Sequence, residues 1–252
     1  MDRQYWDNVS ADYDGQIHDS LGSDVQGVIA RCVLQYVSPG GVACDVGCGV
    51  GKYVPMLAKQ FARVYAIDLS GKLLEQARRA HGELTNVRFM QKDLSRGSRL
   101  RIRKAHFAVC ANVLIMPDAN VRRAILRNVA RLLVRGGHVL IVIPSMESAL
   151  YAQQRLMQWC ARAGQSLREA RREGSFARPG DAAKAIEGIV RIDGAATKHY
   201  LREEAVVTLR DAGFDPVSID KIEYDWTTEF HNPPRWLGTP LPWDWLFVAR
   251  KQ

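Results

Sequence analysis

The chain of 252 residues is short of the features that would mark a metal centre or a disulfide scaffold. It has five cysteines, Cys32, Cys44, Cys48, Cys110 and Cys160, an odd number with no zinc-type Cys/His spacing. That count argues against a disulfide framework. Cys44 and Cys48 lack the third cysteine of a radical-type iron–sulfur site, whose place is taken by Gly51. No metal site is expected. Long apolar runs are also missing. Val139-Leu140-Ile141-Val142-Ile143 is the longest candidate, far short of the ~20 residues that span a bilayer. The opening residues, Met1-Asp2-Arg3-Gln4-Tyr5-Trp6, are polar and mixed in charge, unlike a signal peptide, so a cytoplasmic location without a membrane partner is expected. No internal repeat or low-complexity segment occurs. The net charge of +8 lacks a focus: two denser basic stretches, 96–104 and 162–178, read as solvated faces, and a nucleic-acid partner is not expected.

What is present is one large domain's worth of sequence, 47% hydrophobic and 25% charged. Its most informative stretch is Asp45-Val46-Gly47-Cys48-Gly49-Val50-Gly51, set between the apolar run Gly41-Val42-Ala43-Cys44 and the helical pattern that starts at Tyr53. Strand, glycine turn and helix in that order let backbone approach a ligand closely. The dinucleotide fingerprint needs a third glycine where Lys52 stands, which disfavours a nicotinamide oxidoreductase. A second acid, Asp68, ends the strand-like run Arg63-Val64-Tyr65-Ala66-Ile67, and a third, Asp93, follows Val87-Arg88-Phe89-Met90. Ligands of open parallel sheets bind beyond the carboxyl ends of the strands. Acids there suit a nucleoside without phosphates: Asp68 can accept ribose hydroxyls, and Asp93 can meet an adenine amino group. S-adenosylmethionine fits that description.

The Asp45–Gly51 turn, Ile67-Asp68-Leu69-Ser70, Gln91-Lys92-Asp93-Leu94 and the stretch Leu133 to Leu140 together resemble the class I S-adenosylmethionine-dependent methyltransferases. The resemblance covers roughly Tyr5 to Ile143 and resumes near Tyr200 to Lys251. It implies an α/β, Rossmann-like, doubly wound sheet of seven mostly parallel strands with the last strand antiparallel, an N-terminal lid helix and a helical cap insertion. It also implies an enzyme that binds S-adenosyl-L-methionine and leaves S-adenosyl-L-homocysteine as product. The cofactor-binding residues it implies are Asp45, Gly47, Cys48, Gly49, Gly51, Asp68, Leu69, Lys92, Asp93, Leu94, Asn112 and Val113.

The pattern along the chain agrees with such a fold. Residues 1–37 read as helical lid, with Ser23 or Asp24 capping a helix whose apolar face is Val25, Val28, Ile29, Cys32, Val33 and Tyr36. Ser38-Pro39-Gly40-Gly41 stops it. Residues 38–145 form the cofactor-binding core, with strands near 42–46, 63–67, 87–90, 106–111 and 137–143. Helices are expected near 52–61, 70–80 and 119–134, the last ended by Gly136-Gly137. Such alternation predicts a parallel sheet with helices on both faces. Residues 146–198 are read as a helical cap broken at Arg178-Pro179-Gly180. Residues 199–252 supply a helix at 201–212 and strands at 217–224 and 245–249.

Methyl transfer from a sulfonium needs alignment, exclusion of water and, for some acceptors, a base. Tyr13 is expected to close over the cofactor, its ring face attracting the sulfonium, while Trp6 is read as a hydrophobic anchor. His199 and His231 are the candidate proton acceptors. Trp226, Trp236, Trp243 and Trp245 read as packing at the sheet edge, with an aromatic substrate wall as the functional alternative. Asn232-Pro233-Pro234 lies too far downstream for the amine-clamping motif of amino methyltransferases, and reads as a turn. The expected activity is transfer to an oxygen or nitrogen of a small molecule by a monomer or homodimer. RNA or protein methylation and a non-catalytic S-adenosylmethionine-binding regulator are the alternatives.

Overall fold

The computed structural model describes residues 1–38, 40–96, 100–170, 181–192 and 194–252. An N-terminal segment holds α1 (Arg3–Val9), α2 (Tyr13–Gln16) and α3 (Val28–Gln35). The core follows as β1 (Val42–Val46), α4 (Val54–Gln60), β2 (Arg63–Asp68), α5 (Gly71–His81), β3 (Val87–Gln91), β4 (Ala105–Ala111), α6 (Ala119–Leu132) and β5 (Leu133–Pro144). Then come α7 (Met146–Arg162), α8 (Leu167–Ala170), α9 (Asp181–Ile186), β6 (Ile189–Ile192), β7 (Ala195–Lys198), α10 (Arg202–Asp211), β8 (Phe214–Glu223) and β9 (Trp243–Lys251).

Seven strands form one sheet in the order β3-β2-β1-β4-β5-β9-β8. β3 through β5 pair in parallel, and β9 runs antiparallel to both β5 and β8. This is the doubly wound, mostly parallel sheet with a reversed last strand. Its central strands are buried on both faces, and the two-residue side-chain period divides them. Val42, Cys44 and Val46 join Ile125, Leu126 and Val129 of α6 on one face. Ala43, Phe107, Val109, Leu140 and Val142 join Ile29 and Val33 of α3 and Leu57 of α4 on the other. Ser70, Asp118 and Ser145 cap α5, α6 and α7 by accepting from backbone N–H groups of Leu73, Asn120 and Ser148.

Four expectations about local structure are corrected. The first 37 residues are three short helices with a turn-rich link. Asp24 does accept the N–H of Ile29 at 2.7 Å, but Gly27, at φ +63°, delays α3 to Val28 and leaves Val25 exposed. At the other end of the core, α6 stops at Leu132. Leu133 pairs with Ala105 and His138 with Phe107, so the residues between them, Gly136 at φ +77° included, are a bulge inside β5. The cap is not wholly helical, since β6 and β7 make an antiparallel hairpin that hangs from the segment after β4 by Lys198 N–H to Ile115 carbonyl, 2.8 Å. β8 and β9 are also longer than expected, reaching Phe214 and Trp243. Pro39, the break at 178–180, and positions 97–99 and 171–178 of the basic stretches lie outside the described residues.

The C-terminal aromatics mostly pack. Trp226 stacks on Phe230 at 5.7 Å and leans on Tyr151 of α7, while Trp243 meets Trp245 edge-on at 6.0 Å. Trp236 is exposed, with the Arg162 guanidinium 3.8 Å from its ring centre. Among the described residues, no helix is long and apolar enough to cross a membrane.

Phe107 is fully buried at the centre of the sheet and stacks on Phe61 at 5.8 Å. Phe107→Ala is expected to lower the unfolding free energy by about 3–5 kcal/mol, read from urea titration of the purified protein.

Candidate functional site

The turn after β1 is shaped by its glycines. Gly47 and Cys48 donate N–H bonds to the Ile67 carbonyl at 2.7 and 3.0 Å, tying the turn to β2. Gly47 and Gly49 have φ of +68° and +53°. A Cβ on Gly49 would stand 2.5 Å from the Tyr13 hydroxyl, and one on Gly47 would collide with Val113. The close approach therefore brings the post-β1 turn, the N-terminal segment and the post-β4 segment to one place. Gly51, at φ +89°, abuts His81 of α5, so its lack of a side chain serves helix packing.

Two cavities meet there. The first, with about 840 Å³ of empty space including its mouth, is bordered by the predicted residues Gly47, Gly49, Asp68, Leu69, Lys92, Asp93, Leu94, Asn112 and Val113, and by Tyr13 and Trp6. The second, about 430 Å³, is bordered by Asp45, Gly47, Cys48, Asn112 and Tyr13, with His18, Asp19, Ser20, Lys52 and Tyr53. Tyr13, Ile17, Gly47, Ala111 and Asn112 belong to both. The first cavity is the larger of the two and mostly apolar in its lining, whereas the second is smaller and has a more polar lining.

Asp68 is held by its neighbours. Its two oxygens accept from Gly49 N–H and Ser70 N–H, each at 2.8 Å. Burial raises its pKa, with those N–H bonds opposing the shift. A carboxylate has about four lone-pair sites, so acceptor capacity remains for a ligand. Asp45 is wholly buried, its Oδ2 has no hydrogen-bond partner, and burial, with Asp68 nearby, pushes its pKa up to about 8. Asp93 accepts from Ser95 N–H at 2.8 Å and pairs with Arg96 at 3.2 Å. Asn112 sits in the left-handed region at φ +55°, donates to the Ser20 hydroxyl at 2.9 Å, and leaves its Oδ1 without a partner. The Tyr13 hydroxyl stays protonated, because burial first and Asp68 and Asp45 next raise its pKa.

The two histidines expected as bases stand apart from both cavities. His199 is buried, with Nδ1 3.1 Å from the Thr197 carbonyl, and burial lowers its pKa to about 4. His231 is exposed on a separate open cleft at residues 227–232, 3.0 Å from the Asn232 amide. Sequence reasoning passed over His18, Ser20 and Tyr53, read Lys52 only as a missing glycine, and favoured an anchor over a lid for Trp6, which borders the first cavity. Lys52 bonds Asp19 at 3.1 Å, which fastens the N-terminal segment to the start of α4. Among the described residues, no group of His, Cys, Asp and Glu is arranged to hold a metal ion.

Residues 43–137 match the family model described as a methyltransferase domain. A magnesium-protoporphyrin O-methyltransferase of Synechocystis is 31% identical over 112 residues, which are 43% of this chain and 47% of that protein. The matched stretch thus spans about half the length of that relative. Over nearly the whole chain, the fold is shared with the crystal structure of magnesium protoporphyrin IX methyltransferase from Synechocystis with bound S-adenosyl-L-homocysteine. The TM-score is 0.60 at 20% identity, covering 99% of this chain and 98% of that one. The N-methyltransferase NodS of Bradyrhizobium japonicum, also solved with S-adenosyl-L-homocysteine, gives 0.60 at 14% identity, covering 99% and 97%.

The buried Asp45 has a measurable signature. Its pKa of about 8 in the folded chain exceeds its ordinary 3.8. Folding therefore favours the protonated form, and the stability this contributes is complete below about pH 4 and is lost as the pH climbs toward 8. Asp45→Asn has no charge to bury. Its melting temperature relative to wild type is expected to rise between pH 5 and pH 8, exceeding it by about 2 °C or more at pH 8 in scanning calorimetry.

Proposed function

We propose that this chain, which has the fold of the class I S-adenosylmethionine-dependent methyltransferases and a methyltransferase domain over residues 43–137, methylates an oxygen or nitrogen of a small molecule. The observation that carries this reading is the pairing of cavities with complementary chemistry. The larger, mostly apolar one, with Asp68 and Asp93 among its polar points, suits an adenosine. The small polar one has unpartnered buried groups that suit an amino-acid end: Asp45 Oδ2 and Asn112 Oδ1 as acceptors for an ammonium, and Tyr53 hydroxyl as donor for a carboxylate. Asp45, Asp68 and Asp93 at the rim disfavour a phosphate-bearing ligand.

When bound, the sulfonium supplies a methyl group whose leaving partner is a neutral thioether. Asp68 holds the ribose hydroxyls, and Asp93 with Leu94 borders the adenine. The Tyr13 ring lies at the junction of the cavities, where an aromatic face attracts a cationic sulfur. Tyr13, Ile17 and Trp6 screen the junction from water, and alignment of acceptor and methyl in such a site is worth about 7–11 kcal/mol of the barrier in favourable cases. The acceptor is small in this reading because the N-terminal segment covers the junction. The O-methyltransferase and N-methyltransferase resemblances leave both atoms open as the methylated position. A cytoplasmic enzyme, monomeric or homodimeric, is part of the same proposal.

Asp68→Ala is expected to weaken S-adenosyl-L-homocysteine binding at least ~10-fold, about 1.4 kcal/mol, by isothermal calorimetry. Unchanged affinity refutes the assignment. Tyr53→Phe provides a finer test. It should cost about tenfold or more in affinity for S-adenosyl-L-homocysteine, the scale of one hydrogen bond to a charged group. Affinity for 5′-methylthioadenosine, which lacks the amino-acid end, should not change.

A further inference from the structure

His18 occupies a position that the cofactor reading leaves without a task. It precedes the Asp19–Lys52 ion pair and borders the small polar cavity beside Asp45, Tyr53 and Asn112. Its Nε2 is buried and has no hydrogen-bond partner. The ring packs on Tyr224 at 4.8 Å between centroids. Tyr224 follows β8, on the far half of the sheet from β1 and β2, and its hydroxyl is held by Glu229 at 3.1 Å. His18 therefore stands at the seam between the half of the sheet that carries the cofactor cavity and the half opposite. The polar cavity that His18 borders shares Tyr13, Ile17, Gly47, Ala111 and Asn112 with the first cavity, so its ring lies beside the junction. His199 and His231 are shut off from that place, the first by burial and the second by distance along the surface.

We propose that His18 is the catalytic proton acceptor, its Nε2 taking the proton of the hydroxyl or amine that is methylated. The inference rests on the methyltransferase reading. In the step, a lone pair of the acceptor forms the new bond to carbon, and the carbon–sulfur bond breaks with its electrons passing to sulfur. The acceptor's proton moves to Nε2, and the imidazolium then releases it to solvent. The groups facing His18 set its readiness. Burial lowers its pKa and Lys52 lowers it further, whereas Asp19 opposes them. Tyr224 packs on the ring and Tyr13, Asp45, Cys48 and Tyr53 border the same cavity, and burial raises the pKa of each, keeping the phenols and the thiol neutral. The ring is thus uncharged near neutral pH, as a base must be.

Two measurements test this. The first is 15N NMR of histidine-labelled protein saturated with S-adenosyl-L-homocysteine, with the His18 signals assigned from their loss in His18→Gln. The expected result at pH 7.5 is a neutral ring with unprotonated Nε2. A proton on Nε2 would mean that it donates to the ligand carboxylate, and would overturn the proposal. The second is methyl transfer from S-adenosyl-L-methionine to a panel of phenols and primary amines, which carry a proton to be removed. For any acceptor that wild type methylates, His18→Gln is expected to lose about 100-fold in kcat. Its S-adenosyl-L-homocysteine affinity should fall far less than its rate and by under tenfold, since His18 only borders the cavity of the amino-acid end, and added imidazole should restore part of the rate to His18→Ala. A kcat within threefold of wild type, or a tenfold loss of S-adenosyl-L-homocysteine affinity in His18→Gln, overturns the proposal. The NMR result decides even where no acceptor on the panel turns over. Failure of wild type to bind S-adenosyl-L-homocysteine would instead refute the methyltransferase reading.

Discussion

Two carboxyl groups buried side by side at the ends of neighbouring parallel strands set the terms for the rest of this molecule. The β1–β2 register pairs Val46 with Ile67, which puts Asp45 and Asp68 on adjacent chains at the same edge of the sheet. Burying a charge without a counter-ion is costly. The fold answers at Asp68 with two backbone N–H donors, and at Asp45 with a raised proton affinity. Neither answer is complete without a ligand. The left-handed glycines follow from the same demand, since only a backbone free of side chains at Gly47 and Gly49 leaves room beside these acids for a ligand, Tyr13 and Val113 together.

The part of the architecture readable from the sequence was the part written in local pattern. β1, β2, β3 and β4 lie close to the runs of apolar and β-branched residues that announce them, and Ser70 caps α5 as a serine before a helix does. Asp45, Asp68 and the glycine turn were legible because strand end, turn and helix start are contiguous. The bulge in β5 was not, because Leu132 and Leu133 continue the apolar stripe of α6, and only pairing with Ala105 and Phe107 decides where helix gives way to strand. The β6–β7 hairpin was hidden for a similar reason: its four-residue strands lie in a stretch rich in alanine and arginine, and what fixes them is a bond to Ile115 from far upstream.

The polar cavity was least legible of all. Its members come from residues 13–20, from the turn after β1 and from the segment after β4. No spacing rule connects His18 to Tyr224, or Asp19 to Lys52. These are products of how the N-terminal segment lies across the finished sheet. His199 and His231 were the visible histidines because each flanks a recognisable element, yet flanking an element says nothing about which way it faces. A motif reports a site built from one loop, while a site assembled from several has to be found in three dimensions.

The manner in which the N-terminal segment is fastened has a consequence for exchange with solvent. Asp7 meets Ser70, Gln76 reaches the Ser10 carbonyl, Asp19 meets Lys52, and Ser20 meets Asn112. Among its described side chains up to residue 20, only Val9, Ser10 and Ser20 are buried. Such a strap detaches at a far smaller free energy than the sheet needs to come apart. One of its fastenings is a partly exposed ion pair, which dissolved salt weakens within a Debye length of about 10 Å at 0.1 M. Ionic strength thus becomes a dial on how often the two cavities open to water, independent of anything that happens to the sheet beneath.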